Sequence, residues 1–267
     1  MSAKQRRVWE KEQGGGGPLR KITLLGTPLC VTTYAELTAL CGSWGNGGAV
    51  AVDFSNTQIV TMRRCDGGFR ETTRCMDHFV PDGMPLIWAL NDRGARMTDR
   101  VYGPAFMREC ILRSPAERTH YLLGGSEECL TRLEGRFRRQ RPDVRIVGSH
   151  HGYFEPDADE GIVEEINSLG PDLIWVGLGT PKQQEWIARN KSKIRRGALL
   201  AVGFAFDVNA GTKRDAPVWM QKAGLTWLHR LKEEPRRLGG RYLKWNSLFL
   251  YHLLCESLSG PCCDEES

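Results

Sequence analysis

Between residues 20 and 210 the chain repeats one pattern. A short, continuously apolar run is followed by a turn rich in glycine or proline, and then by a segment with helical spacing. AVAVDF (49–54), YLLGG (121–125), LIWVGLG (173–179) and LLAVGF (199–204) are runs of this kind. A strand with apolar residues on both faces must be covered on both faces, and parallel strands need crossovers long enough to hold a helix. The pattern therefore predicts an α/β fold: a Rossmann-like, mostly parallel sheet flanked by helices. Thr33 and Glu36 have capping-box spacing, a Gly-Thr-Pro turn is expected at 26–28, and Asp66-Gly67-Gly68 interrupts a helical stretch over 57–76.

The charge is unevenly spread. The 267 residues carry 37 Lys plus Arg against 32 Asp plus Glu, yet seven bases fall between Lys222 and His252, where only Glu233 and Glu234 oppose them. This stretch is also aromatic, with Trp227, Tyr242, Trp245, Phe249 and Tyr251. The expected organisation is a flexible N-terminal tail (1–18, with four consecutive glycines), an α/β catalytic core (19–215), a basic, aromatic, helical appendage (216–258) and an acidic tail (259–267). Breaks in the appendage are expected at Pro235 and at Gly239-Gly240. A basic, aromatic surface suits an anionic membrane face, and it serves equally as a solvated face or as packing against the core. No nucleic-acid module accompanies it. Nine cysteines without a CxxC pair fit neither a disulfide framework nor a zinc site, and no run of about 18 apolar residues is present to cross a membrane.

In an open parallel sheet, ligands bind beyond the carboxyl ends of the strands. The turns expected to meet there are Asp53–Asn56, Pro81–Gly83, Gly124–Ser126, Gly177–Gln183 and Asp207–Gly211. Glycine allows close backbone approach, and helix N-termini offer free N–H groups to phosphate, so Gly124, Gly125, Gly177 and Gly179 are candidate contacts; each also serves as a simple chain reversal. Asp82, in a turn between an apolar strand and a helix, is the candidate base, with a helix cap as its alternative role. Asp207 is read as ending a strand, where it orders a loop or meets a ligand. Arg230, Arg237 and Arg241 are suited to clamp phosphate oxygens. Neither GxGxxG nor GxxxxGK[ST] is complete, which disfavours a redox enzyme of nucleotide-sugars.

The ordered set YLLGGSEECLTRLEGRF (121–137), IVGSHHGYF (146–154), EEINSLGPDLIWVGLGTPKQQEWIARN (164–190) and AVGFAFDVNAGTKRDAPVWMQKAGLTWLHRLKEEPRRLGGRYLKWN (201–246) resembles the WecG/TagA/CpsF glycosyltransferases. VPDGMPLIWAL and VYGPAFM further resemble exopolysaccharide glucosyltransferases of the xanthan-assembly type. The resemblance implies inverting transfer, without metal or cofactor, from a UDP-sugar to a sugar on polyprenyl diphosphate. It implies work at the cytoplasmic face of the plasma membrane, in the synthesis of surface polysaccharides. It gives Asp82, of the Pro-Asp-Gly element, the role of catalytic base, and places Asn56, Gln183, Asp207 and the arginines at the substrates. Two positions depart from the family pattern. Phe54-Ser55-Asn56 stands where the family has Thr-Pro-Asn, so Ser55 is the available replacement hydroxyl. Gln184 stands at a glutamate position, with Glu185 as the neighbouring charge. The rival reading is a non-catalytic membrane-surface scaffold that keeps the fold.

Overall fold

A computed structural model describes residues 19–44 and 47–259. The expected tail at 1–18 and all but the first residue of the expected acidic tail lie outside them. The chain opens with β1 (Lys21–Leu24), β2 (Thr27–Cys30) and α1 (Tyr34–Ser43). β3 (Val50–Ser55) leads into α2 (Thr57–Cys65) and α3 (Gly67–Thr72), and β4 (His78–Pro81) into α4 (Met84–Asp92) and α5 (Gly103–Arg113). β5 (Thr119–Gly124) precedes α6 (Glu127–Gln140), and β6 (Arg145–His150) precedes α7 (Asp159–Leu169). β7 (Leu173–Gly177) runs into α8 (Lys182–Asn190), and β8 (Ala198–Ala201) into α9 (Ala205–Ala210). A helical extension follows, made of α10 (Val218–Lys222), α11 (Thr226–Glu233) and α12 (Pro235–Ser259).

The strands form one eight-stranded sheet in the order β1-β2-β4-β3-β8-β7-β5-β6. All neighbours are parallel except β1 and β2. Alternate residues of the central strands feed two cores. Val52, Leu122, Trp175 and Leu200 pack on one face with Phe106 and Phe206. Ala51, Leu123, Ile174 and Leu199 pack on the other with Leu86 and Trp186. Burial on both faces is what the unbroken apolar runs require.

Three local expectations change. The first turn lies at Leu25-Gly26, with φ of 50° and 74°, and Thr27 and Pro28 belong to β2. A two-residue antiparallel hairpin favours positive φ at both turn residues, which proline cannot adopt. Asp207 sits in α9, one short helix beyond β8, rather than at a strand end. α12 runs unbroken through Gly239-Gly240. Each helical glycine costs about 1 kcal/mol, whereas burying Leu238 and Phe249 returns about 1.5–3 kcal/mol apiece. The capping box at the start of α1 forms as expected, with Thr33 and Glu36 exchanging hydrogen bonds. Asp66 breaks α2 from α3 and caps α3 by accepting from the Phe69 amide.

β5 and β7 end on two glycines that touch. Gly124 has φ of +137°, and a Cβ there would lie 2.5 Å from the Gly177 carbonyl carbon. Gly179, with φ of +78°, has open space around its missing Cβ. Gly124→Ala is therefore expected to lose about 2 kcal/mol or more, against about 1 kcal/mol for Gly179→Ala. Thermal denaturation of the two variants checks the ranking, and equal stabilities would contradict the packing role of Gly124.

Candidate active site

The ends of β3, β4, β7 and β8 open onto a crevice of about 520 Å³. Asn56, Asp82, Gly125, Gly177, Gly179, Gln183, Asp207, Arg230, Arg237 and Arg241 all line it. The fold thus brings together ten of the eleven residues singled out in the sequence. The eleventh, Gly124, faces the backbone of Gly177 instead. A second cavity, of about 430 Å³, lies between α4 and the helical extension. Its walls are mostly apolar, with Met84, Trp88, Leu225, Trp227, Phe249 and Leu253 among them. Asn56, Gln58, Asp82, Phe204, Arg230 and Tyr242 line both cavities, so Asp82 stands where a polar chamber meets an apolar one.

Asp82 is held from three sides. Its amide donates to the Ser55 carbonyl at 2.7 Å. Its carbonyl accepts from Arg100 Nη1 at 3.0 Å. Its Oδ1 accepts from the Gly103 amide at 3.0 Å, at the N-terminus of α5. Burial pushes the carboxyl up to about 7, against the opposing pull of Arg100, the Gly103 amide and Arg230, with Asp215 adding to the rise. A carboxyl that ionises near neutrality is suited to take a proton from a hydroxyl at working pH. Asn56 caps α2, its Oδ1 accepting from the Ile59 amide at 3.2 Å, and Gln183 Oε1 accepts from the Gly179 amide at 3.2 Å.

Above the crevice lies a chain of charges. Lys213 Nζ is 3.5 Å from Asp207 and 2.6 Å from Glu234, which also pairs with Arg237. Against the upward push of burial, the hydrogen bonds from Arg237 and Lys213 hold Glu234 down at about 2. Asp207 additionally accepts from the Thr212 hydroxyl at 2.9 Å, so its carboxylate orders the 211–215 loop. The Arg230 guanidinium lies 3.9 Å from the centre of the Phe204 ring. Burial and the charges of Arg230 and Arg237 lower the pKa of Arg241, with Tyr242 opposing, and its buried Nε has no hydrogen-bond partner. Such uncompensated cations suit a polyanionic ligand.

Ser55 and Gln184 both turn away from the crevice. The Ser55 hydroxyl is buried and donates to Asp53 Oδ1 at 2.5 Å, so it does not replace a missing hydroxyl in the crevice. Gln184 is also buried, and its Nε2 donates to Asp53 Oδ2 at 2.6 Å. A glutamate there would set one carboxylate against another in a dry site, so the amide is the electrostatic match for Asp53. Glu185 faces solvent and supplies no charge to the crevice. Phe54 does line the crevice, as an apolar wall packed 5.2 Å from the Phe106 ring.

Sequence reasoning missed Arg100, Tyr153, Phe204 and Lys213. Lys213 lies beside a flagged turn, and a wider window around Asp207–Gly211 includes it. Arg100 follows a loop with no motif, and only the fold carries it to Asp82. His150 and His151 line a separate groove with Glu127 and Glu134.

Residues 22–262 match the family described as Glycosyl transferase WecG/TagA/CpsF. The chain is also similar to three Staphylococcus aureus proteins, from strains MW2, NCTC 8325 / PS 47 and COL. Each is described as an N-acetylglucosaminyldiphosphoundecaprenol N-acetyl-beta-D-mannosaminyltransferase. Identity is 28% over 200 residues, which cover 74% of this chain and 77% of each relative.

The burial of Asp82 has a measurable cost. Between the ordinary carboxyl pKa and about 7 the unfolded chain releases a proton that the folded chain retains, so stability falls as pH rises through this window and stays low above it. Asp82→Asn removes that cost while keeping an oxygen for the Gly103 amide. Its melting temperature is expected to exceed that of the wild type by more at pH 8 than at pH 5. A gain independent of pH would contradict a desolvated carboxyl.

Proposed function

Because the chain belongs to the WecG/TagA/CpsF glycosyltransferase family, we propose that it moves a sugar from a UDP-sugar in the polar crevice to a sugar on polyprenyl diphosphate in the apolar cavity. The observation that carries this reading is the place of Asp82 on the wall common to the two. Asp82 takes the proton of the acceptor hydroxyl as that oxygen attacks the anomeric carbon from the side opposite the diphosphate. The bond to the UDP oxygen breaks, the anomeric configuration inverts, and UDP leaves as an anion. Arg230, Arg237, Arg241 and Lys213 meet its developing charge without a metal ion. Ser126, the N-cap of α6, offers its backbone N–H to phosphate beside Gly125, whose own N–H donates to the Gly177 carbonyl, and the exposed Tyr153 ring at the rim offers a stacking face for the base.

Residues 19–215 form the catalytic core in this reading, and 216–258 form the appendage that closes over it. Val218 and Trp219 of α10 and Leu250, Tyr251 and Leu254 of α12 are all exposed, on helices that also carry Lys222, Arg236 and Lys244. We assign this surface to an anionic bilayer at the cytoplasmic face, where it brings the apolar cavity to the lipid carrier. Among the described residues no helix is long and apolar enough to cross a membrane. The names of the relatives describe an undecaprenol-linked acceptor and an N-acetylmannosaminyl donor group, and the xanthan-type resemblance favours a glucosyl donor.

Transfer is read by mass spectrometry with a panel of UDP-sugars and synthetic polyprenyl-diphosphate sugars. Asp82→Asn is expected to lower turnover by about a hundredfold or more with UDP affinity retained, and the wild-type rate should rise with pH through an ionisation near 7. Unchanged transfer by Asp82→Asn defeats the base assignment, and no transfer from any donor by the wild type favours the scaffold reading. The pair Trp219→Glu and Leu254→Glu is expected to reduce co-sedimentation with anionic vesicles while sparing UDP binding. Undiminished sedimentation would remove this face from the membrane.

A further inference from the structure

The contact between the helical extension and the core passes through a small polar network beside Asp82. Arg100 is only 6% exposed, and it reaches in two directions. Nη1 donates to the Asp82 carbonyl at 3.0 Å. Nη2 donates to Gln221 Oε1 at 3.4 Å and to Thr226 Oγ1 at 3.2 Å, on α10 and at the start of α11. The same guanidinium lies 4.2 Å from the centre of the Tyr102 ring.

Gln221 uses its whole amide in this place. Its oxygen accepts from Arg100, while its nitrogen donates to Asp215 Oδ2 at 3.1 Å and to the Ala216 carbonyl at 2.8 Å. Asp215 in turn accepts from the Tyr102 hydroxyl at 2.6 Å. Tyr102 directly precedes α5, whose first amide, from Gly103, holds the Asp82 carboxylate. The extension therefore reaches both ends of Asp82: its carbonyl through Arg100 and its carboxylate through Asp215 and Tyr102. No other side chain of α10 is tied to both Arg100 and Asp215 by hydrogen bonds in the described structure.

We propose that Gln221 is a positioning residue, which locks the helical extension onto Arg100 and Asp215 and so fixes both the direction of the Asp82 carboxylate and how far water reaches it. The proposal rests on the reading of Asp82 as the base. An amide suits the position because it bridges a cation and an anion at once; a carboxylate would repel Asp215, and an ammonium would repel Arg100. Asp82 is half-buried on the wall between the two cavities, and loss of the bridge lets the extension part and more water reach it. The groups facing that carboxyl are Arg100, Arg230 and Asp215, with the Tyr34 and Tyr102 hydroxyls nearby, and burial is the largest influence among them. Rehydration therefore moves its ionisation down, toward that of an ordinary carboxylate.

The experiment compares the full-length wild type with Gln221→Ala and with Gln221→Met, which keeps the volume and removes all three side-chain hydrogen bonds, and includes Asp82→Asn in parallel. UDP affinity is measured by calorimetry, and kcat, KM and the pH profile of kcat/KM by sugar transfer. Both Gln221 variants are expected to lose about tenfold in kcat with UDP affinity within about twofold of wild type. The acid limb of the profile should move to lower pH, and a shift of about one unit raises the ratio of the rates at pH 6 and pH 8 about fivefold. Should the alanine variant fail to fold, the methionine variant decides. An unchanged limb overturns the proposal, because a merely structural role lowers the rate without moving the ionisation; an unchanged kcat overturns it as well. The reading of Asp82 as base fails separately, if Asp82→Asn keeps its turnover.

Discussion

The desolvation of one carboxyl group organises the rest of the structure. Asp82 lies at the mouth of a parallel sheet, at a position where the backbone alone would leave it open to water. It is enclosed because α5 begins beside it, Arg100 backs it and the helical extension covers it. Each enclosing group has a polar partner to satisfy, and these partners are found in one another: Arg100 with Gln221 and Thr226, and Tyr102 with Asp215. The folded chain gives up stability to hold a carboxyl that ionises near neutrality, which is the condition for it to act as a base.

The two cavities that meet at Asp82 differ in kind, and the difference follows from which elements wall them. The polar one is built from turns at strand ends, where glycines and helix N-termini leave backbone N–H groups exposed, and from the arginines of the extension. The apolar one is built largely from helix faces, α4 on one side and, on the other, α11 and α12 with the turn of Ala223, Gly224 and Leu225. A charged donor and a lipid-linked acceptor differ in the same way. Phe204 and Arg230 stack on each other where the two cavities meet, a contact that holds a cation on the wall common to both.

The buried pair Asp53 and Gln184 shows how a departure in one motif is balanced in another. Asp53 lies inside β3 with no exposure, where an unpartnered carboxylate would be costly. Burial pushes its pKa up, while Ser55, Gln184 and Arg63 pull it down. The serine of Phe54-Ser55-Asn56 and the glutamine of Pro-Lys-Gln-Gln are thus two halves of one local arrangement. Both lie behind the crevice rather than in it, whereas Phe54 puts an apolar wall into the crevice where the family pattern has a threonine hydroxyl.

The sequence by itself determined the α/β class, because continuous apolar runs such as LIWVGLG must be covered on both faces. It also determined the short-range devices, among them the Thr33 capping box and the Asp66 break, which depend only on neighbours a few residues apart. It marked ten of the residues around the crevice, seven because turns after parallel strands converge on one edge of the sheet and three as arginines of the basic extension. The tertiary structure alone decided the remainder. It carried α12 through two glycines by burying Leu238 and Phe249, since packing energy exceeds the local propensity. It turned Gln184 inward toward Asp53 across 131 positions of chain, onto the carboxylate that Ser55 also meets from two residues along β3, a pairing set by strand pleat and helix register. It brought Arg100 and Gln221 together beside Asp82 from separate loops and helices, and burial in three dimensions, which no spacing along the chain encodes, set the ionisation of that carboxyl.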